Sequence, residues 1–200
     1  MSVKLLIEDE ETREVATRTI QREVAALKRF IDDLRNVSKP KPVERFPLDV
    51  NGSVAEVVES MRPEGQRLSI AIETSYASGP LVIEGDRFAL ARVYRNLITN
   101  GLQATEAGGR VSIETRRNGR SIEIQVSDTG SGIPADRLPT IFDNFVTTKR
   151  RGLGLGLAIC KQIVEQLDGT IAVTSELGRG TTFTMRFPAR DDLSVQEAAS

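Results

Sequence analysis

Two runs of alternating apolar residues meet across a tight turn: Val111, Ile113 and Thr115, then Asn118-Gly119, then Ile122, Ile124 and Val126. An Asn-Gly pair between two period-two runs predicts a β-hairpin, because Asn and Gly tolerate the positive φ that a two-residue turn demands. The hairpin commits the middle of the chain to antiparallel sheet with one apolar face. Whatever flanks it must cover that face.

The flanking text supplies helices and more strands. A short helix from Asn51 or Ser53 to Met61 leads into the alternation Leu68, Ile70, Ile72 and a short apolar strand, Leu81 to Ile83, closed by Gly85. A longer helix is expected from about Asp86 to Ala107, ended by Gly108-Gly109. Beyond the hairpin, residues 134–151 lack a period and read as a long loop. Leu155, Ile159, Ile163 and Leu167 then share one helical stripe. Thr170 to Thr174 and Thr181 to Phe187 read as strands around the turn 176–180. Helices and antiparallel strands in one domain predict an α+β fold, a two-layer α/β sandwich with helices on one face of a mixed, mostly antiparallel sheet.

A different pattern precedes this domain. Residues 8–37 contain no Gly or Pro, and Ile20, Val24, Leu27, Ile31 and Leu34 recur at steps of four, three, four and three. That is an a/d seam on one long helix; with Phe30 and its charged flanks it suits a partner helix, although a surface helix of this length competes. Pro40 and Pro42 must stop it. The expected organisation is an N-terminal helix over 1–38, a Pro-containing linker over 39–45, a catalytic-sized domain over 46–190, and a flexible tail over 191–200.

Composition excludes several function classes. Among 200 residues, 27 Lys+Arg nearly balance 28 Asp+Glu, for a net charge of -1. That is no footprint for nucleic acid or a polybasic membrane anchor. One cysteine, Cys160, allows no intrachain disulfide and fits a reducing compartment. There is no histidine. Ser/His/Asp triads, Cys/His dyads, ordinary zinc sites and histidine bases all fall together. No apolar run approaches the roughly 20 residues of a membrane span, so a cytoplasmic location is expected, alone or as the cytoplasmic part of a membrane-bound sensor.

Three clusters carry chemistry. Asp128-Thr129-Gly130-Ser131-Gly132 follows a strand; it makes a good Asx turn, and it also places a carboxylate where a ligand's amino group could meet it. Gly152-Leu153-Gly154-Leu155-Gly156 opens a helix behind Lys149, Arg150 and Arg151. Alternate glycines there serve either close packing or convergence of N–H groups on a phosphate, while the P-loop and dinucleotide fingerprints are absent. Asn96, Asn100 and Gln103 form an amide stripe on the long helix. Such amides are often merely solvated, yet an amide oxygen is a hard ligand suited to Mg²⁺.

The order of these parts resembles the GHKL superfamily, and within it the catalytic and ATP-binding domain of bacterial sensor histidine kinases, nearest to the NtrB/NtrY-type nitrogen sensors. Asn96-Leu97-Ile98-Thr99-Asn100-Gly101-Leu102-Gln103-Ala104 is similar to the N box, and Asp128-Thr129-Gly130-Ser131-Gly132-Ile133 to the G1 box. Ile141-Phe142-Asp143-Asn144-Phe145 with Thr147-Thr148-Lys149 resembles the F box, Gly152 to Gly156 the G2 box, and Gly178-Arg179-Gly180-Thr181-Thr182-Phe183 the last box. The likeness covers about residues 46–188.

The resemblance implies roles. Asp128 would accept from the adenine amine, helped near Thr181, with Gly130 and Gly132 leaving room for the purine and Ile133 beside it. Asn100 would hold Mg²⁺, and Asn96 and Gln103 would line the phosphate end. Residues 134–151 would form a lid anchored by Phe142 and Phe145, with Lys149 reaching the phosphates. Gly152, Leu153, Gly154, Leu155 and Gly156 would supply backbone donors. GHKL hydrolases carry a Glu four residues before the metal Asn, where this chain has Asn96, so transfer to a partner group is favoured over an ATPase. The acceptor is expected on a His-bearing dimerisation hairpin absent here, of which residues 8–37 resemble the second helix, as in a truncated chain or fragment. A response regulator receiver domain would be a further partner, and a homodimer through 8–37 is possible. A nucleotide-binding scaffold without turnover stays open. The single Asp-Thr-Gly also matches aspartic proteases, which need two.

Overall fold

A computed structural model describes residues 13–21, 24, 42–147 and 154–190. The chain divides into two compact units, Met1–Lys41 and Pro42–Ser200. In the first, residues 13–21 (α1) and Val24 are helical, with Arg18 donating to Glu14 one turn away at 2.7 Å. Val15, Ile20 and Val24 are exposed. The remaining seam positions Leu27, Phe30, Ile31 and Leu34, part of the linker and the tail 191–200 lie outside the described residues.

The second unit runs β1 (Phe46–Asp49), α2 (Val50–Leu68), β2 (Ala71–Ser75), β3 (Val82–Gly85), α3 (Arg87–Ala104), β4 (Arg110–Asn118), β5 (Ser121–Asp128), α4 (Gly156–Gln166), β6 (Thr170–Glu176) and β7 (Gly180–Pro188). Five strands make one sheet in the order β2-β4-β5-β7-β6, and β1 pairs with β3 apart from it. Only β2 and β4 run parallel; the other pairs of the large sheet are antiparallel. Val111, Ile113, Ile122, Ile124, Val126, Phe183, Met185 and Phe187 point to one buried face, against which α2, α3 and α4 lie. This is the expected two-layer sandwich.

Local details differ from the sequence reading for physical reasons. Asp49, not Asn51 or Ser53, caps α2, accepting from the N–H groups of Asn51 and Gly52. The helix then runs through Pro63 to Leu68. Burial of Val50, Val54, Val57, Val58 and Met61 on one stripe outweighs the backbone bond that Pro63 removes. Leu68 is therefore helical, and Ser69, with φ 57, turns the chain into β2. The hairpin turn is Gly119-Arg120, since Asn118 still pairs with Ser121; of the two only Gly119 has positive φ. Asp86 caps α3, which stops at Ala104 because Thr105 is extended. Strand β1 escaped the reading, because its Phe46 is exposed and Pro47 sits inside it.

The outer face of the sheet is polar with one exception in burial. Glu123 on β5 has no exposed side-chain surface, being covered by Arg116 of β4 and Arg186 of β7. Arg186 donates to it at 2.7 Å. Among the described residues, no helix is long and apolar enough to cross a membrane.

Candidate functional site

Strand β5 ends in Asp128, directly opposite Thr181 on β7. One carboxylate oxygen accepts from the Gly130 N–H at 2.9 Å, and the Thr181 N–H, on the residue paired with it, also favours the charged form. Burial raises the Asp128 pKa above the ordinary carboxylate value; the two N–H donors pull against this without cancelling it. The Asx turn holds the carboxylate in place, half-buried.

The loop after Asp128 is clasped from both sides. Ser131 donates its N–H to Ala104 O at 3.0 Å, and Gly178 donates to Ser131 O at 2.8 Å. Ile133 donates to Ser175 Oγ at 2.8 Å, whose hydroxyl also meets Thr181 Oγ1 at 3.0 Å. Gly130 and Gly132 are both pressed against protein backbone. A Cβ on Gly130 would lie 2.5 Å from Ala104 O, and one on Gly132, at φ +70, 2.1 Å from Glu176 O. Close backbone approach within the protein requires glycine at both. Ser175 was invisible to sequence reasoning, since a strand serine carries no local signal.

The amide stripe faces this loop and the glycine helix together. Asn96 and Asn100 are half-buried on α3, and Gln103 is exposed. Gly101, one residue past Asn100, sits so near β5 that a Cβ there would meet Asp128 Cβ at 3.3 Å. At the other end of the stripe, a Cβ on Gly156 would lie 2.7 Å from Asn96 Nδ2. Asn96 Nδ2 also donates to Cys160 Sγ at 3.1 Å. Asp128 and the start of α4 therefore approach α3 at Gly101 and Asn96, two positions about 7.5 Å apart along the helix at 1.5 Å per residue.

Helix α4 begins at Gly156 behind Leu155, which makes no side-chain cap bond; a helix start of this kind suits an anion. Leu155 is buried beneath it. Gly154, at φ +66, is bare because Phe145 and Val146 backbone lies 2.5 Å from its would-be Cβ, and Phe145 donates its N–H to Gly154 O at 3.0 Å. Phe142 anchors the loop on the core, its ring edge-on to Phe183 at 6.3 Å. Phe145, expected as a second anchor, is 63% exposed; its positive φ and its backbone bond to Gly154 turn the ring outward. Lys149, Gly152 and Leu153 lie outside the described residues.

The donor set bears on the expected cation. Among the described residues, no group of three or more His, Cys, Asp and Glu could hold a metal. Neutral amide oxygens at Asn96 and Asn100 fit a cation that arrives with phosphates to balance its charge. A shallow groove lined by Asn118, Arg120, Asp168 and Arg186 lies at the hairpin-turn end of the sheet, away from Asp128.

Residues 85–191 match the model of the histidine kinase-, DNA gyrase B-, and HSP90-like ATPase family. The chain belongs to this family. The likeness to sensor kinases makes it the ATP-binding catalytic domain of the sensor histidine kinase type, with the GHKL fold. It is 33% identical over 171 residues to the sensor histidine kinase ZraS of Escherichia coli (strain K12), covering 86% of this chain and 37% of ZraS. It is 32% identical over 200 residues to the sensory histidine kinase/phosphatase NtrB of Rhizobium leguminosarum bv. phaseoli, covering 92% of this chain and 52% of NtrB. The chain thus spans between about a third and a half of these relatives. Full-length ShkA in complex with AMPPNP superposes with a TM-score of 0.77 at 28% identity, over 92% of this chain and 41% of ShkA. Histidine kinase ThkA in complex with the response regulator protein TrrA gives 0.75 at 25% identity, over 92% of this chain and 53% of that one.

Proposed function

We propose that this domain binds ATP with Mg²⁺ and donates the γ-phosphoryl group to a histidine supplied by another segment. The observation that carries this is the shared placement on α3: Gly101 abuts Asp128 while Asn96 abuts Gly156. A purine at the carboxylate and phosphates at the uncapped helix start then lie along one amide stripe. Asp128 accepts from the adenine amine beside Thr181, and Ile133 lies next to it. Asn100 would hold the cation, Asn96 would line the phosphate end, and the cation would supply charge neutralisation there. Gln103, Phe145, Lys149, Gly152, Leu153, Gly154 and Leu155 complete the expected lining. Positioning and charge neutralisation are the main work of such a site.

Asn96 has no basic lone pair at neutral pH, so activation of water is disfavoured. Transfer breaks the bond between the γ-phosphorus and the bridging oxygen and forms one to an imidazole nitrogen, with ADP leaving. The sequence contains no histidine, so the acceptor lies outside these 200 residues, on a His-bearing helical hairpin. The complex of ThkA with its response regulator supports a receiver domain as the next acceptor. Dependence on ATP supports a cytoplasmic position, and the apolar spacing from Ile20 to Leu34 in the sequence supports a homodimer.

Titration calorimetry with an unhydrolysable ATP analogue, followed by phosphotransfer to a supplied hairpin, tests this. Binding in Mg²⁺ with phosphate appearing on the hairpin is expected. Failure to bind would overturn the ATP reading. Binding without transfer, unchanged by Asn100→Asp, would favour a scaffold.

A further inference from the structure

Asn96 is held on two sides by α4. Gly156 offers no side chain, and its would-be Cβ lies 2.7 Å from Nδ2 and 2.8 Å from Oδ1, so the amide stands edge-on to the helix start. One turn further along, Cys160 Sγ accepts from Asn96 Nδ2 at 3.1 Å. The Cys160 side chain is 1% exposed, and its thiol donates to Val93 O at 3.9 Å. With its proton directed at that carbonyl, the sulfur presents a lone pair to the amide, and only Nδ2 satisfies a lone pair. The opposite edge of the amide, Oδ1, is thereby turned away from the thiol.

We propose that Cys160 is a positioning residue that fixes the orientation of the Asn96 amide, so that its oxygen rather than its NH2 faces the cation and phosphates. This deepens the ATP reading and rests on it. An NH2 edge in that place would set a donor against a cation, whereas an oxygen edge adds a hard ligand or accepts from a metal-bound water. The thiol itself touches neither nucleotide nor metal. Serine in its place keeps an acceptor for Asn96; valine removes it at similar volume.

The test combines a nucleotide-free readout with a binding readout on the whole chain. In amide-detected NMR without nucleotide, the Asn96 side-chain NH2 resonances are expected to shift in Cys160→Val and return toward the parent in Cys160→Ser. With AMP-PNP, Cys160→Val is expected to lose affinity several-fold in Mg²⁺ and to match the parent in EDTA, with Cys160→Ser restored. Cys160→Ala repeats the loss should the valine variant melt early. Unchanged Asn96 resonances in the valine and alanine variants would overturn the clamp. An equal Mg²⁺ increment in parent and valine variant, or serine as impaired as valine, would overturn the positioning role. Shifted Asn96 resonances in the valine variant beside a parent that binds no AMP-PNP would refute the ATP reading instead, and the role in presenting oxygen to a nucleotide with it.

Discussion

Replacing Gly156 by alanine should separate stability from function. In a helix interior alanine is favoured over glycine by up to about 1 kcal/mol, and less at the first helical position. Against this, the new methyl would stand 2.7 and 2.8 Å from the two ends of the Asn96 amide, about 0.7 Å inside the 3.4 Å at which ordinary contact begins. The obstacle is the end of a flexible side chain, so the amide withdraws and surrenders its bond to Cys160, a loss of about 0.5–1.5 kcal/mol. The two effects nearly offset. The expected net change is within about 1 kcal/mol, a Tm shift of a few degrees in a domain of this size. Function has no such compensation, since a displacement near 1 Å can cost on the order of 100-fold in rate. Thermal melts alongside phosphotransfer to a supplied hairpin read both quantities. Full transfer activity, or a loss of stability well beyond 1 kcal/mol, would refute the reasoning.

Other substitutions test other parts of the site. Gly180→Ala places a Cβ 1.9 Å from Asp128 O at φ +121; both partners are backbone, so urea unfolding should show a loss of more than about 3 kcal/mol. Asp128→Asn keeps one oxygen for the Gly130 N–H and sets an NH2 against the donor on adenine. AMP-PNP affinity should fall by roughly 10- to 100-fold, the equivalent of one charge-assisted bond. The Glu123 pKa is lowered overall: burial raises it, but the Arg186 bond and the nearby Arg116 and Arg186 charges outweigh burial. Its stabilisation is therefore present above the ordinary carboxylate range and lost as pH falls through the lowered value. Glu123→Gln should flatten the acid limb of a stability-against-pH curve, and an unaltered limb would show that the arginines contribute nothing through this carboxylate. Asp128 acts in the opposite sense, since its raised pKa makes stability fall as pH rises from the unfolded to the folded value, so Asp128→Asn should remove that slope.

Local sequence determined the elements whose cause is local. The alternation around Asn118-Gly119 specified the hairpin, because period two and a positive-φ glycine are properties of a few neighbouring residues. The stripe from Leu155 to Leu167 and the start of α3 near Asp86 were legible for the same reason, and so were the segments bearing Asn96, Asp128 and Gly156, whose order carries the family likeness. What escaped depended on distant partners. The continuation of α2 past Pro63 rests on apolar burial against the rest of the domain, and β1 exists only because β3 offers it a ladder. The bareness of Gly130, Gly132 and Gly154 comes from backbone brought close from elsewhere in the chain, which no spacing rule encodes. Above all, the contact of Asn96 with Gly156 and Cys160 joins residues about 60 positions apart. Periodicity reports which face of a helix is buried, but only the packing of α3 against α4 decides which atom meets which.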